Sequence, residues 1–505
     1  MTHLRSRRRR LLAPLGLALA VSAATLGAVP GAATAAPQKA AAEGDTLSYV
    51  VNTRTGHHTV EAVKKAIETS EGSSVVAAYE RIGVIVAHST DPRFAERIRG
   101  VRGVQTAGAS RTAPFEAAGT TEVGAPEYVE APKASARSAK GDAEPLEADQ
   151  WDLRAIGADK AAKINPGSSK VTVGVIDTGV DDTHPDLAPN FSASQSASCV
   201  GGKADTSPGA WRPHNAEHYH GTHVAGEIAA ARNGVGVAGV APGVQVASIK
   251  VADPQTELFT PESVVCAFVF AGDKGIDVTN NSYYVDPWMY NCLDDPDQKA
   301  IVDAVNRAQR YAHRKGTLHV ASAGNSNHDL ASDEILDDSS PNDSTPVERT
   351  IDPSECLDIP TQLPGVVTVS ATGPTEAKSY YSTYGKGIVD VAGPGGDGNV
   401  PADTPSKNGR ILSTMPDGEY GYLQGTSMAA PHVAAVAALI KSTHPKAGPT
   451  ALQALLKLQA DNPGCPSEPY DPDGDGTVDA VCEGAERVNG FYGFGIVDAL
   501  DAVRR

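Results

Sequence analysis

Residues 171–176 read Val-Thr-Val-Gly-Val-Ile, an apolar run with almost no alternation. A strand with one wet face alternates apolar and polar side chains. A run like this one must be covered on both faces, as in a parallel sheet flanked by helices. Residues 244–251, 276–280, 317–321 and 365–369 repeat the pattern. Helical periodicity lies between and after them, over 221–231, 261–272, 298–315 and 427–442. Strands alternating with helices predict an α/β domain over 149–505, with a parallel sheet and helices on both faces. In such sheets functional groups gather at the carboxyl ends of the strands.

The first 150 residues divide into three parts. Arg5 and the run Arg7 to Arg10 precede an apolar stretch, and Ala33-Thr34-Ala35 supplies small residues for cleavage. That pattern predicts an export signal over 1–35 and a secreted, extracellular protein. Residues 46–107 carry the order β-α-β-β-α-β, a split βαβ module of the ferredoxin-like α+β kind. Residues 108–148 are rich in Ala, Glu, Pro, Ser and Gly. Too little apolar surface is available there to offset ordering entropy, so a flexible, protease-accessible linker is expected. The net charge of −18 argues against nucleic-acid and anionic-membrane partners. Six cysteines in an exported chain suggest three disulfides, and fifteen pairings are open.

Three segments carry chemistry. Val173-Gly174-Val175-Ile176-Asp177-Thr178-Gly179 ends a buried strand on a carboxylate. His220-Gly221-Thr222-His223-Val224-Ala225-Gly226 opens a helix of small residues. Gly425-Thr426-Ser427-Met428-Ala429-Ala430-Pro431-His432 places a serine at another helix start. Serine is a weak nucleophile that needs a base, histidine titrates near neutrality, and a buried carboxylate fixes the imidazole tautomer. A helix N-terminus also offers N–H groups to a developing oxyanion. Singly, each segment reads as a cap, a turn or a packing motif. Together they point to acyl transfer by Asp177, His220 and Ser427.

These segments resemble the signature motifs of the subtilisin-like serine peptidases (subtilases) of the secreted bacterial type, over residue 150 to the C-terminus. The resemblance implies an endopeptidase that acts on proteins and peptides as a monomer and needs no cofactor for its chemistry. It implies that Asn325, in Ala321-Ser322-Ala323-Gly324-Asn325, donates to the oxyanion, with Gly324 beside the substrate. It implies that 36–107 is a propeptide, chaperone and inhibitor, removed by cleavage within or near 108–148. Asn281-Ser282-Tyr283-Tyr284 matches the strand that pairs with substrate, with Tyr284 where Gly is usual. Tyr284 would narrow the pocket before the scissile bond or swing out to solvent. Asp358 aligns with the rim or floor of that pocket, where a carboxylate would favour Lys or Arg. Ile359-Pro360 matches a cis peptide of the family. Tyr284 favours a processing enzyme of limited specificity over a broad scavenger. A catalytically silent binding protein is a further class, opposed by the complete set of reactive residues.

Calcium is expected at two places. Asp186 and Asn233 match ligands of a strong family site, Gln150 a third, with Arg232 beside them as a competing charge. Asp471, Asp473, Asp475 and Asp479 follow the spacing of an EF-hand-like loop, braced by Cys465 and Cys482, although Cys482 replaces its closing Glu. His218, His220 and His223 lack the helical spacing and the carboxylate of a zinc site.

Overall fold

The structure is a computed structural model describing residues 45–113, 123–130 and 143–504. The expected export signal over 1–35 lies outside the described residues. The described residues all belong to one compact unit.

The N-terminal module has strands Leu47–Thr53, Ser73–Tyr79, Val84–Ser89 and Val104–Ala109, with helices His57–Glu68 and Phe94–Arg99. The sheet is antiparallel, and its order by chain position is second, third, first, fourth. Alternation splits the first strand between two cores. Tyr49 and Val51 pack with Val60, Val63, Ile67, Phe94 and Ile98 inside the module. Val50 and Val84 face the other way and join a core formed with helices Pro261–Lys274 and Pro296–Lys315.

The larger domain is built on seven strands. Their order across the sheet is Val391–Pro394, Val366–Thr372, Leu318–Ser322, Val278–Asn281, Thr172–Asp177, Gln245–Lys250, Ala197–Ser198. Every neighbouring pair is parallel. Val173 and Val175 pack toward helices His220–Ala229 and Thr426–Thr443, and Ile176 packs toward Pro261–Lys274 and Pro296–Lys315. Helices thus cover both faces, as the apolar runs require. Disulfides join Cys199–Cys266, Cys292–Cys356 and Cys465–Cys482. The Ile359–Pro360 peptide is cis.

The linker expectation fails in part. Within 108–148, Glu127–Val129 is a strand paired antiparallel with Tyr420–Leu423. Composition leaves too little apolar surface there for a core of its own, but an edge strand needs only backbone partners, and Val123, Val129 and Leu146 pack against clusters of the larger domain.

Candidate active site

Strand register assembles the cleft. Ile176 lies opposite Asn281, and Ala321 lies opposite Asn281 on the other side. The next residues of the three strands therefore emerge together: Asp177, Ser282, and Ser322 leading to Gly324 and Asn325. These are carboxyl ends of adjacent parallel strands, where the topology leaves a crevice.

Asp177 is fully buried and accepts from the Thr178 N–H at 2.7 Å. Its carboxylate lies 2.8 and 3.0 Å from His220 Nδ1. That contact requires the helix start to press on the strand end. A Cβ on Gly221 would sit 2.4 Å from the Gly179 carbonyl oxygen and 3.1 Å from Asp177 Cβ, so only glycine fits. An imidazole held at one nitrogen by a buried carboxylate can accept a proton at the other.

Ser427 is the second residue of helix Thr426–Thr443. Its hydroxyl donates to the Ser282 carbonyl at 3.3 Å, and Ser282 Oγ donates to the Ser427 carbonyl at 2.8 Å. Asn325 Oδ1 accepts from the Thr426 N–H and from Thr426 Oγ1, both at 2.8 Å. Thr426 Oγ1 in turn accepts from the Gly324 N–H at 3.1 Å. Gly324 has φ 104°, a turn that carries the chain from the strand end to Asn325. The helix N-terminus is thereby tied to the Asn325 segment, and the amide orientation is fixed through Oδ1.

A cavity of about 470 Å³ opens beside Ser427. Tyr284, Gly324, Asn325 and Asp358 line it, together with Met289, Tyr290, Thr383 and Val123. Tyr284 turns inward, and its hydroxyl accepts from Asn342 Nδ2 at 2.8 Å. Burial, with Asp286, Asp337 and Asp358 nearby, pushes its phenol well above the usual range. Tyr283 lines the cavity only in part: its ring stacks on Phe259 at 4.7 Å and its hydroxyl bonds Asn281 Oδ1. Sequence reading missed Tyr290, Met289 and Thr383, which stand in loops with no motif. Thr426 was inside a recognised motif, but its hydroxyl bridge to Asn325 was not foreseen.

The calcium expectation at Asp186 and Asn233 is corrected. Asp186 Oδ2 already accepts from Tyr420 OH at 2.9 Å and from the Val237 N–H at 3.0 Å. Both ends of the Gln150 amide bond the Ala238 backbone, at 2.9 Å each. Asn233 is exposed and turned onto Pro185 and Val235. The 232–235 loop offers N–H groups to Glu144, and Arg232 pairs with Glu147 at 2.5 and 2.8 Å. Among the side-chain oxygens of Gln150, Asp186 and Asn233, only Asp186 Oδ1 is buried without a partner, far short of the six to eight oxygens calcium takes. Internal donors from Tyr420 and the backbone stand in place of the ion.

The acidic loop differs. Asp471, Asp473 and Asp479 bring one carboxylate oxygen each within 4.8 Å of one another. Asp475 instead bonds the Thr477 N–H and is not part of that cluster. The carbonyl of Asp479 accepts from Asn327 Nδ2 at 3.0 Å, two residues past Asn325. The three histidines diverge, as their spacing suggests: His218 pairs with Glu257, His220 with Asp177 and His223 with Glu227.

Comparison with known proteins adds the relations. The model of the Subtilase family (Peptidase_S8) matches residues 168–495. Subtilisin BL from Lederbergia lenta is 31% identical over 317 residues, covering 62% of this chain and 92% of that protein. The structure of an epidermin leader peptide processing serine protease from Staphylococcus aureus aligns with a TM-score of 0.63 at 22% identity, covering 91% of this chain and 98% of that one. Fervidolysin from Fervidobacterium pennivorans aligns with a TM-score of 0.59 at 23% identity, covering 91% and 61%. Those two likenesses establish the fold.

Proposed function

The chain belongs to the subtilase family and is a serine endopeptidase, and on that premise we propose that Ser427 is its nucleophile, with His220 as base. Ser427 Oγ attacks the scissile carbonyl while His220 takes its proton. His220 then gives that proton to the leaving amine, and water repeats the sequence on the acyl-enzyme. Asp177 orients His220 and stabilises the imidazolium. Asn325 donates to the oxyanion beside the start of the Ser427 helix. The observation that carries this reading is the register that brings Asp177, Ser282 and the Asn325 segment out at adjacent strand ends, with Ser282 gripping Ser427.

Substrates are proteins and peptides, whose backbone pairs with residues 282–284. The inward Tyr284 favours a processing enzyme of limited specificity over a broad scavenger. The 36–107 region acts as a propeptide and inhibitor removed by self-cleavage. Three disulfides suit an oxidising compartment and support secretion. Among the described residues no helix is long and apolar enough to cross a membrane. The enzyme works as a monomer and needs no cofactor for its chemistry. Asp471, Asp473 and Asp479 would hold a structural calcium ion. Terbium luminescence would rise on binding there and fall in Asp473→Ala.

A fluorophosphonate probe should label Ser427 in the secreted wild type, and Ser427→Ala should lose label and about 10⁵–10⁶ of kcat. Absence of label on processed protein would instead favour a silent binding protein.

A further inference from the structure

The cavity beside Ser427 holds a buried carboxylate with no cation to meet it. Asp358 is 5% exposed and lines the cavity, and its Oδ1 is buried without a hydrogen-bond partner. A Cβ on Gly324 would lie 3.9 Å from Asp358 Oδ2, so the carboxylate sits beneath the segment that leads to Asn325. A buried carboxylate with one oxygen unserved and no charge partner is costly.

The surrounding groups do not supply that partner. Tyr284 OH is engaged by Asn342, and Tyr290 OH by His328 Nδ1 at 2.8 Å. Burial lowers the His328 pKa, which disfavours a cation there. Arg349, which donates to the Tyr290 carbonyl, pairs with Asp337 at 2.7 Å and lies over the Trp288 ring. Burial, partly offset by a hydrogen bond to Thr361, drives the Asp358 carboxyl well above the usual range. The walls are aromatic and sulfur-bearing, from Tyr284, Tyr290 and Met289, and suit the aliphatic stem of a long cationic side chain.

We propose that the cavity is the pocket for a Lys or Arg side chain immediately before the scissile bond, with Asp358 as its charge partner. This inference rests on Ser427 being the nucleophile, because that assignment makes the cavity a substrate pocket. A carboxylate inside a dry pocket discriminates by leaving the wrong substrate with an uncompensated polar group, and sites of that kind separate isosteres by large factors.

The test compares kcat/KM for peptides identical except before the scissile bond, with Arg, Lys, citrulline, Leu or Phe there. The enzyme is the full chain as secreted, titrated by fluorophosphonate. Citrulline keeps the shape of Arg without its charge. Arg and Lys should exceed citrulline by about 10²-fold, and p-aminobenzamidine should inhibit competitively. In Asp358→Asn, still labelled by fluorophosphonate, the Arg-to-citrulline ratio should fall to near one. A wild-type ratio near one, a preference for Leu or Phe, or an unchanged ratio in the labelled variant would overturn the proposal. If Asp358→Asn fails to label, the wild-type Arg-to-citrulline ratio decides alone. If wild type neither labels nor cleaves any peptide, it is the Ser427 assignment that fails.

Discussion

Asn325 does two things with one amide. Its Oδ1 accepts twice from Thr426 and fixes the start of the helix that carries Ser427, while the Nδ2 end is the proposed oxyanion donor. The two tasks separate by substitution. Asn325→Ala should lower kcat by about 10²–10³ with a small change in KM, the usual loss of an oxyanion donor. Asn325→Asp keeps the acceptor for Thr426 and removes the donor. Steady-state kinetics should place it close to Asn325→Ala if donation dominates. A kcat near wild type for the aspartate variant would assign Asn325 to positioning alone. A second residue on the same helix couples its stability to pH. Burial alone would lower the pKa of His432, but Asp152 at 3.1 Å and Glu227 at 3.3 Å reverse this and push it up to about 10. A folded pKa above the unfolded value means stability is fully present below about 6.5 and is lost as pH rises through about 10. Thermal melts of Ser427→Ala, used to prevent autolysis, should therefore show Tm falling between pH 7 and 10. His432→Gln should have a lower Tm at pH 7 and a flatter profile over that window.

Elements show why parts of the site could be read from sequence and parts could not. Runs such as 171–176 need burial on both faces, so their strand character is local information, and the strands at 172–177 and 318–322 fall within two residues of expectation. Asp177, His220, Ser427 and Asn325 sit at strand ends and helix starts, where one residue type in one backbone position has few alternatives. Val391–Pro394 carries Gly and Pro, and no pattern marked it as a sheet edge. Glu127–Val129 pairs through its backbone, so its composition misleads. The Asp186 site was misread for a related reason. Whether a carboxylate binds an ion depends on partners distant in sequence: here Tyr420 holds Asp186, while Glu144 and Glu147 hold the 232–235 loop. Removing Tyr420 from that cluster should matter structurally. Tyr420→Phe leaves Asp186 Oδ2 with the Val237 N–H alone, beside an Oδ1 that already lacks a partner, and should cost about 1–3 kcal/mol of unfolding free energy by urea melts, with no rescue by calcium.

At the scale of the whole molecule the N-terminal module and the pocket constrain each other. The module rests on helix Pro296–Lys315 through Asn52 to the Ala300 carbonyl at 2.9 Å, Thr106 to Asp303 at 2.9 Å and Arg307 to the Thr53 carbonyl at 2.8 Å. Its end runs toward the pocket wall: Arg111 pairs with the buried Glu262 at 3.2 Å, and Thr112 bonds Asp343, next to the Asn342 that holds Tyr284. If the peptidase frees itself by cutting within 108–148, and if its pocket takes a cation, only four residues qualify: Arg111, Lys133, Arg137 and Lys140. Arg111 has only 14% of its side chain exposed and is already engaged by Glu262, which leaves three. The secreted wild type, sequenced as soon as the module is released, should begin at Ala134, Ser138 or Gly141. Replacing Lys133, Arg137 and Lys140 together by Ala should leave folding and fluorophosphonate labelling intact while the module stays covalently attached, as it should in Ser427→Ala. Release at an unchanged rate in the triple variant would mean that self-cleavage does not use a cationic pocket. It would leave the Ser427 assignment standing only if Ser427→Ala still retains the module.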